Sequence, residues 1–303
     1  MKKIAIVVLN WKQPKLTTET ISSLLKIKHS SFEYKIILVD NGSQDDSINI
    51  FNKKYKDNQF VEILNTKNNI GYAGGNNFGI NYAIENKFDY IVLLNNDVLV
   101  DKDFLEELLK ESNNYDIVGP KIYFAPGFEF HKDKYKKDDL GKIIWSFGGQ
   151  IDWNNIYGSN VAVDKVDKGQ FDKNNEKVDF ISGCCLMAST GIFKTIGNLD
   201  KKYFMYFEDV DFCQRAKKSN LKLACISKSI IWHINAGSSK SGGDLHDYFI
   251  TRNRIYFANK YASLRTKFAI LRESIKFLFG KSKWKKQAVL DAFSGKMNKG
   301  SWQ

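Results

Sequence analysis

Tyr90-Ile91-Val92-Leu93-Leu94-Asn95-Asn96-Asp97 is the stretch on which the fold turns. An apolar run this short and without alternation reads as a β-strand covered on both faces, and the polar triplet marks its end. Runs at residues 4–9, 35–39 and 61–64 share that character, being rich in Ile, Val and Leu. Between them lie helical stretches at 16–26, 47–54, 76–85 and 104–110, the last with Asp103 placed as its cap. Strand and helix alternating in this rhythm predict an α/β fold, a Rossmann-like, mostly parallel sheet flanked by helices.

Sheets of this kind bind ligands beyond the carboxyl ends of their strands. Asp40-Asn41-Gly42-Ser43 follows the second strand and Asn95-Asn96-Asp97 the fourth, so both clusters point toward one crevice. Asp97 suits Mg²⁺ or Mn²⁺, hard ions that bridge diphosphates, although strands also end in Asp as a turn former. The run from Asn68 to Gly79 is dense in glycine and asparagine but lacks the order of a dinucleotide fingerprint and the Gly-Lys-Ser/Thr of a phosphate loop. It reads as a helix anchor or as the wall of a nucleotide or sugar site. Glu208-Asp209-Val210-Asp211 follows an aromatic run and opens a helix predicted over 209–219. Carboxylates there enjoy the helix's positive end, and one held among aromatic rings can serve as a general base. His233 ends a short apolar strand, as a satisfied core or turn residue or as a further metal ligand. Arg252 and Arg254 bring guanidinium groups, which suit bidentate contact with phosphate.

The chain has 303 residues, 43% hydrophobic and 26% charged, the balance of a folded globular protein rather than a disordered chain or a coiled coil. Its net charge of +12 is uneven: from Thr251 to Gln303 thirteen Lys and Arg stand against two acids, a net +11, leaving +1 for the rest. Lys2-Lys3 before residues 4–9 has the look of a signal peptide, but the apolar run is too brief and no small-residue cleavage site follows, so it is read as the first strand. No stretch approaches the roughly 18 apolar residues of a membrane span. Cys184, Cys185, Cys213 and Cys225 form no CxxC pair and are read as structural thiols of a reduced compartment. Residues 127–180 lose the rhythm and predict hairpins and a mobile loop, with 145–149 partly ordered. Strands are expected at 180–187, 223–226 and 230–233. Tyr261, Leu264, Phe268, Leu271, Ile275 and Leu278 are spaced to form one apolar helical stripe, with Arg265, Lys267, Arg272 and Lys276 off it. Two readings of that stripe stand side by side: a helix packed on the parent domain with a wet basic face, and a peripheral membrane contact.

Taken together these clusters resemble a family 2 inverting glycosyltransferase of GT-A-type fold, nearest to bacterial rhamnosyltransferases and their galactofuranosyl relatives. The resemblance rests on Val7–Trp11, Val39–Ser43, Gly71–Asn77, Leu93–Asp97, Phe207–Asp211, Trp232-His233 and Arg252-Asn253, and runs from residue 4 to about 257. It implies a catalytic domain over 1–257 and a basic amphipathic helical extension over 258–303. Asp40 and the backbone near Asn10 would line the nucleotide pocket, with Asn41, Gly71, Gly75, Asn76, Asn95, Asn96 and Arg252 also on the donor side. Asp97 would bind Mn²⁺ or Mg²⁺ under the diphosphate. Asn95 stands where many members have Asp, so metal binding leans on His233. Asp209 would be the general base, with Glu208, Asp211 and Trp145 orienting acceptor or backbone.

The implied reaction moves a sugar from a nucleotide-sugar donor, dTDP-rhamnose favoured over UDP-galactofuranose and other UDP-hexoses, to an oligosaccharide or polyprenyl-linked glycan with inversion. It implies a cytoplasmic chain working at the inner face of a bacterial plasma membrane, with the basic helix serving as membrane contact, packing helix or homodimer contact. Two rivals are weaker. A nucleotidyltransferase would carry a glycine-rich basic loop after the first strand, which Asn10-Trp11-Lys12-Gln13-Pro14 lacks. A nucleic-acid or membrane binding module would account for the basic tail but not the acidic clusters, and no nucleic-acid motif is present.

Overall fold

The computed structural model describes residues 1–234 and 243–302. Its first half runs β1 (Lys2–Asn10), α1 (Pro14–Leu24), β2 (Phe32–Asp40), α2 (Ser47–Tyr55), β3 (Val61–Asn65), α3 (Gly71–Glu85), β4 (Tyr90–Leu94), β5 (Val98–Val100), α4 (Phe104–Glu111) and β6 (Ile117–Phe124). There follow β7 (Ile144–Ser146), β8 (Gly149–Asp152), β9 (Tyr157–Asn160), β10 (Cys185–Ser189), α5 (Thr190–Ile196), α6 (Glu208–Lys218), β11 (Leu223–His233), α7 (Asp244–Tyr261), α8 (Leu264–Phe279) and α9 (Lys283–Ser294).

Among the described residues one sheet has the order β3-β2-β1-β4-β10-β6-β11-β5, with β7 beside β6. The pairs β3-β2, β2-β1 and β1-β4 are parallel. β10 then enters antiparallel between β4 and β6, so the far half is mixed rather than parallel. Pleating sends alternate residues of β1 to opposite faces: Ala5 and Val7 join one core, whereas Ile4, Ile6 and Val8 meet Ile21, Leu24 and Phe51 in the other. Register puts Asn10 directly opposite Asp40 at the carboxyl ends of β1 and β2.

Four expectations shift. α3 starts at Gly71, not Asn76, so most of the glycine run is helix. Glycine is a poor helix former, and close packing is what requires it here: a Cβ on Gly75 would lie 2.4 Å from Leu9 Cδ1, and one on Gly79 2.5 Å from Val7 Cγ1. Residues 180–184 are not strand, because their backbone turns away to meet other groups at the site. The two strands expected at 223–226 and 230–233 are one, β11, interrupted by a bulge between Ile226 and Ile230. There Ser227 Oγ donates to Asp172 O at 2.9 Å and Ser229 Oγ to Phe104 O at 2.8 Å. Asp103 sits at the start of α4 but makes no side-chain cap; its carboxylate pairs with Lys28 at 2.9 Å.

The stretch 127–180 does contain a hairpin, β8-β9. All four cysteines are buried free thiols. α7 runs unbroken through residue 257. The helical stripe anticipated beyond it does not pack on the body as a whole: Thr266, Ile270 and Ser274 are the buried residues of α8, and Leu264, Phe268, Leu271 and Ile275 are exposed. No helix among the described residues is long and apolar enough to cross a membrane.

Gly79→Ala is expected to lower the unfolding free energy by about 1–3 kcal/mol, overpacking against Val7 and Val39 outweighing the gain in helix propensity. Urea titration of the two proteins measures it.

Candidate active site

Three polar groups meet beyond the sheet's carboxyl edge. The first joins the ends of β1 and β2. Asn10 Nδ2 donates to Asp40 Oδ1 at 2.7 Å, Ser43 Oγ donates to the same oxygen at 2.5 Å, and Ser43 N donates to Asp40 Oδ2 at 3.0 Å. Thr17 Oγ1 donates to Asn10 Oδ1 at 2.7 Å and accepts from Asn96 Nδ2 at 2.9 Å. Asp40 and Asn10 are buried, so this network holds the end of β4 in line with β1 and β2.

The second is made where β5 and β11 pair. His233 lies opposite Val98, and Ile234 N donates to Asp97 O at 2.8 Å. His233 Nε2 stands 3.2 Å from Asp97 Oδ1, and both side chains are nearly buried. The Trp145 ring lies 4.5 Å from the imidazole, tilted by 53°. Among the described residues, Asp97 Oδ1 has no hydrogen bond beyond its contact with His233 Nε2 and His233 Nδ1 has no partner, although both atoms are buried, an uncommon condition in a folded interior. Adjacent ligands of an octahedral ion with bonds of about 2.1 Å sit about 3 Å apart, so the pair fits a shared divalent cation. No group of three or more His, Cys, Asp or Glu able to hold a metal occurs among the described residues.

The third is the start of α6. Gly183 N donates to Asp209 Oδ2 at 2.7 Å, and Val210 N donates to Asp209 Oδ1 at 2.8 Å. The Tyr72 hydroxyl lies 2.7 Å from Gly183 O and 3.1 Å from Asn95 Oδ1. Gly183 is thus threaded between Tyr72 and Asp209, where a Cβ would come within 3.2 Å of the hydroxyl and 3.4 Å of the carboxylate. Burial raises the Asp209 carboxyl above its ordinary range, partly opposed by the two N–H donors. Burial, reinforced by Asp209, pushes Glu208 well above it. Glu208 Oε2 is buried and has no partner among the described residues.

The turn before Glu208 is held in an unusual shape. Phe204, Tyr206 and Phe207 have φ of 65°, 67° and 74°, the left-handed region that non-glycine residues avoid. Asn253 Nδ2 donates to Tyr203 O, Met205 O and Tyr206 O at 2.9, 2.7 and 2.9 Å. Gly71 makes room for this turn, since a Cβ there would lie 2.5 Å from the Phe204 ring. Its neighbour helps too: Ala73 N donates to Phe204 O at 3.1 Å.

Several expected site residues serve structure instead. Arg252 is fully buried, with NH1 donating to Asn298 O at 2.7 Å and NH2 to Tyr203 O at 2.9 Å. Its guanidinium clamps chain segments through these bonds. Asp211 is likewise sealed, accepting from Tyr261 Oη at 2.8 Å, Arg215 Nε at 2.8 Å and Lys260 Nζ at 2.5 Å. Burial opposes its ionisation, but the bonds from Lys260 and Arg215 prevail and hold the carboxyl below its usual range. Asn41 spends its amide on Asn69 Oδ1 and Gly71 O, fixing the loop before α3. Gly71 and Gly75 are packing glycines. Asn76 Nδ2 donates to Tyr72 O at 2.9 Å, while its buried Oδ1 has no partner among the described residues.

Tyr72 and Asn253 lie in stretches that carried the resemblance but were given no role at the site, and Gly183 was not among the candidate site residues. A glycine inside the apolar run 180–187 was the available signal, since such a glycine marks a close backbone approach.

Residues 4–197 match the model of the family described as Glycosyl transferase family 2. The chain belongs to that family. A hexosyltransferase of low-salt glycan biosynthesis from Haloferax volcanii is 25% identical over 264 residues, covering 86% of this chain and 76% of the relative. The N-acetylglucosaminyl-diphospho-decaprenol L-rhamnosyltransferase of Mycobacterium tuberculosis is 23% identical over 219 residues, 67% of each. The solved structure of GalNAc-T7 with UDP, GalNAc and Mn²⁺ superposes with a TM-score of 0.70 at 15% identity, over 97% of this chain. The chain spans 55% of that larger structure. The fold of this family 2 glycosyltransferase is therefore GT-A-like, a curled central sheet with helices on both faces.

Two expected outcomes follow from the clamps in this glycosyltransferase. Asn253→Ala orphans buried carbonyls and lowers the unfolding free energy by about 1–3 kcal/mol, and Asn253→Asp, which lacks the donor, does not restore it; urea denaturation reads both. Asp211→Ala costs about 3–5 kcal/mol near neutral pH by leaving its cations unpaired. Because the folded carboxyl titrates below the unfolded one, that stabilisation is complete above a pH of about 4 and fades as pH falls through the folded value. The difference between wild type and variant therefore shrinks in acid.

Proposed function

We propose that this family 2 glycosyltransferase moves a sugar from a nucleoside diphosphate donor to a hydroxyl of a glycan acceptor with inversion. The observation that supports this most directly is the run of contacts that links the residues around Asp97 to Asp209. Asp97 and His233 lie at one end, and Asp209 at the other, connected through Asn95, Tyr72 and Gly183.

Asp97 and His233 would hold Mn²⁺ or Mg²⁺, which when bound neutralises charge on the diphosphate leaving group. The Asp40–Asn10–Ser43 network is suited to the base and ribose of the donor, and Asn76 Oδ1, Asn95 and Asn96 to the donor's remaining polar groups. Asp209 takes the proton from the acceptor hydroxyl as that oxygen attacks the anomeric carbon. The carbon–oxygen bond to the diphosphate breaks on the opposite face, and the nucleoside diphosphate leaves with the electron pair. One displacement inverts the centre, and no second nucleophile is needed. Glu208 and Trp145 orient the acceptor.

We favour dTDP-rhamnose as donor and a polyprenyl-diphosphate-linked glycan as acceptor. The name of the mycobacterial relative supports both. The archaeal hexosyltransferase favours a second reading, a UDP-hexose or UDP-galactofuranose donor. The reaction would run in the cytoplasm, beside the membrane that carries such acceptors.

A donor-binding panel of dTDP-rhamnose, UDP-galactofuranose, UDP-glucose and UDP-N-acetylglucosamine, with Mn²⁺ or with chelator, tests this. One donor should bind in a metal-dependent way, and Asp97→Ala should abolish the metal dependence. Asp209→Asn should retain donor binding while turnover falls by about 10²–10⁴-fold. Binding of none of these donors would sink the proposal. The pH profile offers a separate check. Asp209 must be ionised to act, and burial raises its carboxyl, so the acid limb of kcat/KM should lie above the ordinary carboxylate range of about 4. An acid limb at or below that value would remove Asp209 from the role.

A further inference from the structure

α8 has two faces of different kinds. One packs on the body. Thr266 Oγ1 donates to Trp153 O at 3.2 Å, Ile270 and Ser274 are buried, and Glu273 pairs with Arg254 at 2.8 Å. The other is apolar and uncovered. At 3.6 residues per turn Leu264, Phe268, Leu271, Ile275 and Phe279 fall within about a quarter of the circumference, roughly opposite the packed residues. Leu264, Phe268 and Phe279 are 75%, 70% and 85% exposed, values unlike those of a packing face. Arg265, Arg272 and Lys276 line one edge of this stripe and Lys267 the other.

Among the described residues Arg254, Lys260 and Lys285 pair with acids, whereas Arg265, Lys267, Arg272 and Lys276 do not. The two acids between Thr251 and Gln303 are both withdrawn: Glu273 pairs with Arg254, and Asp291 is buried, accepting from Tyr248, Gln287 and Ser301. The α9 helix beside it adds exposed Leu290 and Phe293.

We propose that this face of α8 docks onto an anionic lipid surface. The stripe enters the boundary between headgroups and acyl chains, and the flanking guanidinium and ammonium groups meet headgroup phosphates. Charge selects this occupant over a second copy of the chain. Two copies joined stripe to stripe would bring these cations against their own kind, with no acid on the face to relieve them. The geometry also links the surface to the site. Asn253 of α7 holds the turn before Asp209, and the next residue, Arg254, anchors α8. Docking is separable from sugar transfer and does not depend on the reading of the active site.

The test is co-sedimentation of the full chain with vesicles of phosphatidylglycerol and phosphatidylethanolamine, and with vesicles of phosphatidylcholine alone, at low and high salt. The anionic vesicles should capture the protein, with capture weakened about tenfold or more by high salt or by the neutral lipid. The double variants Phe268→Ser/Phe279→Ser and Arg272→Glu/Lys276→Glu should each lose binding by at least about that factor. Both change exposed side chains, so thermal melts should match wild type. Equal capture by both vesicle types, equal capture of wild type and both variants, or no capture would overturn the proposal. So would a dimer, seen by light scattering, that Phe268→Ser/Phe279→Ser dissolves, since the stripe would then belong to a second copy.

Discussion

The site depends on one backbone constraint, the left-handed turn from Phe204 to Phe207. Non-glycine residues in that region cost roughly 1–3 kcal/mol each, so the turn exists only because its surroundings over-determine it. Asn253 collects the carbonyls of Tyr203, Met205 and Tyr206, Arg252 also binds Tyr203 O, and the missing Cβ of Gly71 leaves room for the Phe204 ring. The consequence is where α6 begins. Its first turn brings Asp209 to the Gly183 N–H and buries Glu208 beside it, on the side of Tyr72 that faces Asn95.

Around that turn the carboxylates divide by how well they are satisfied. Asp40 and Asp211 have every neighbour they need, and mutating Asp211 is chiefly a matter of stability. Among the described residues Asp97 and Glu208 each keep a buried oxygen without a hydrogen bond, and His233 keeps a nitrogen. Interiors seldom tolerate such atoms, so where they cluster at a strand edge they mark a place shaped for something else. The same logic separates the cations. Arg252 and Arg254 are absorbed by carbonyls and by Glu273, whereas those along the α8 stripe pair with no acid among the described residues.

The two halves of the molecule also differ in how openly they are written. β1, β2, β3 and β4 are short apolar runs with their polar ends in view, because a strand covered on both faces must be apolar throughout. Residues 180–187 look the same in composition, yet only Cys185 onward is strand. The difference lies in Gly183, whose N–H is claimed by a carboxylate 26 residues away. Likewise Gly71, Gly74 and Gly75 fall before the helix that the sequence predicts but lie inside α3, where Leu9 on a neighbouring strand leaves no room for a Cβ at Gly75.

What the sequence determined by itself was the α/β class, the parallel first half, and the positions of Asp40, Asp97 and Asp209 at element ends. Each follows from apolar periodicity and from polar residues that stop it. Tertiary structure alone decided which of the flagged side chains are free. Arg252 and Asp211 have the composition of site residues, but partners distant in sequence, such as Asn298 and Tyr261, consume them. It also decided that the stripe of α8 faces outward, because an amphipathic pattern states which residues share a face but not which face the body covers.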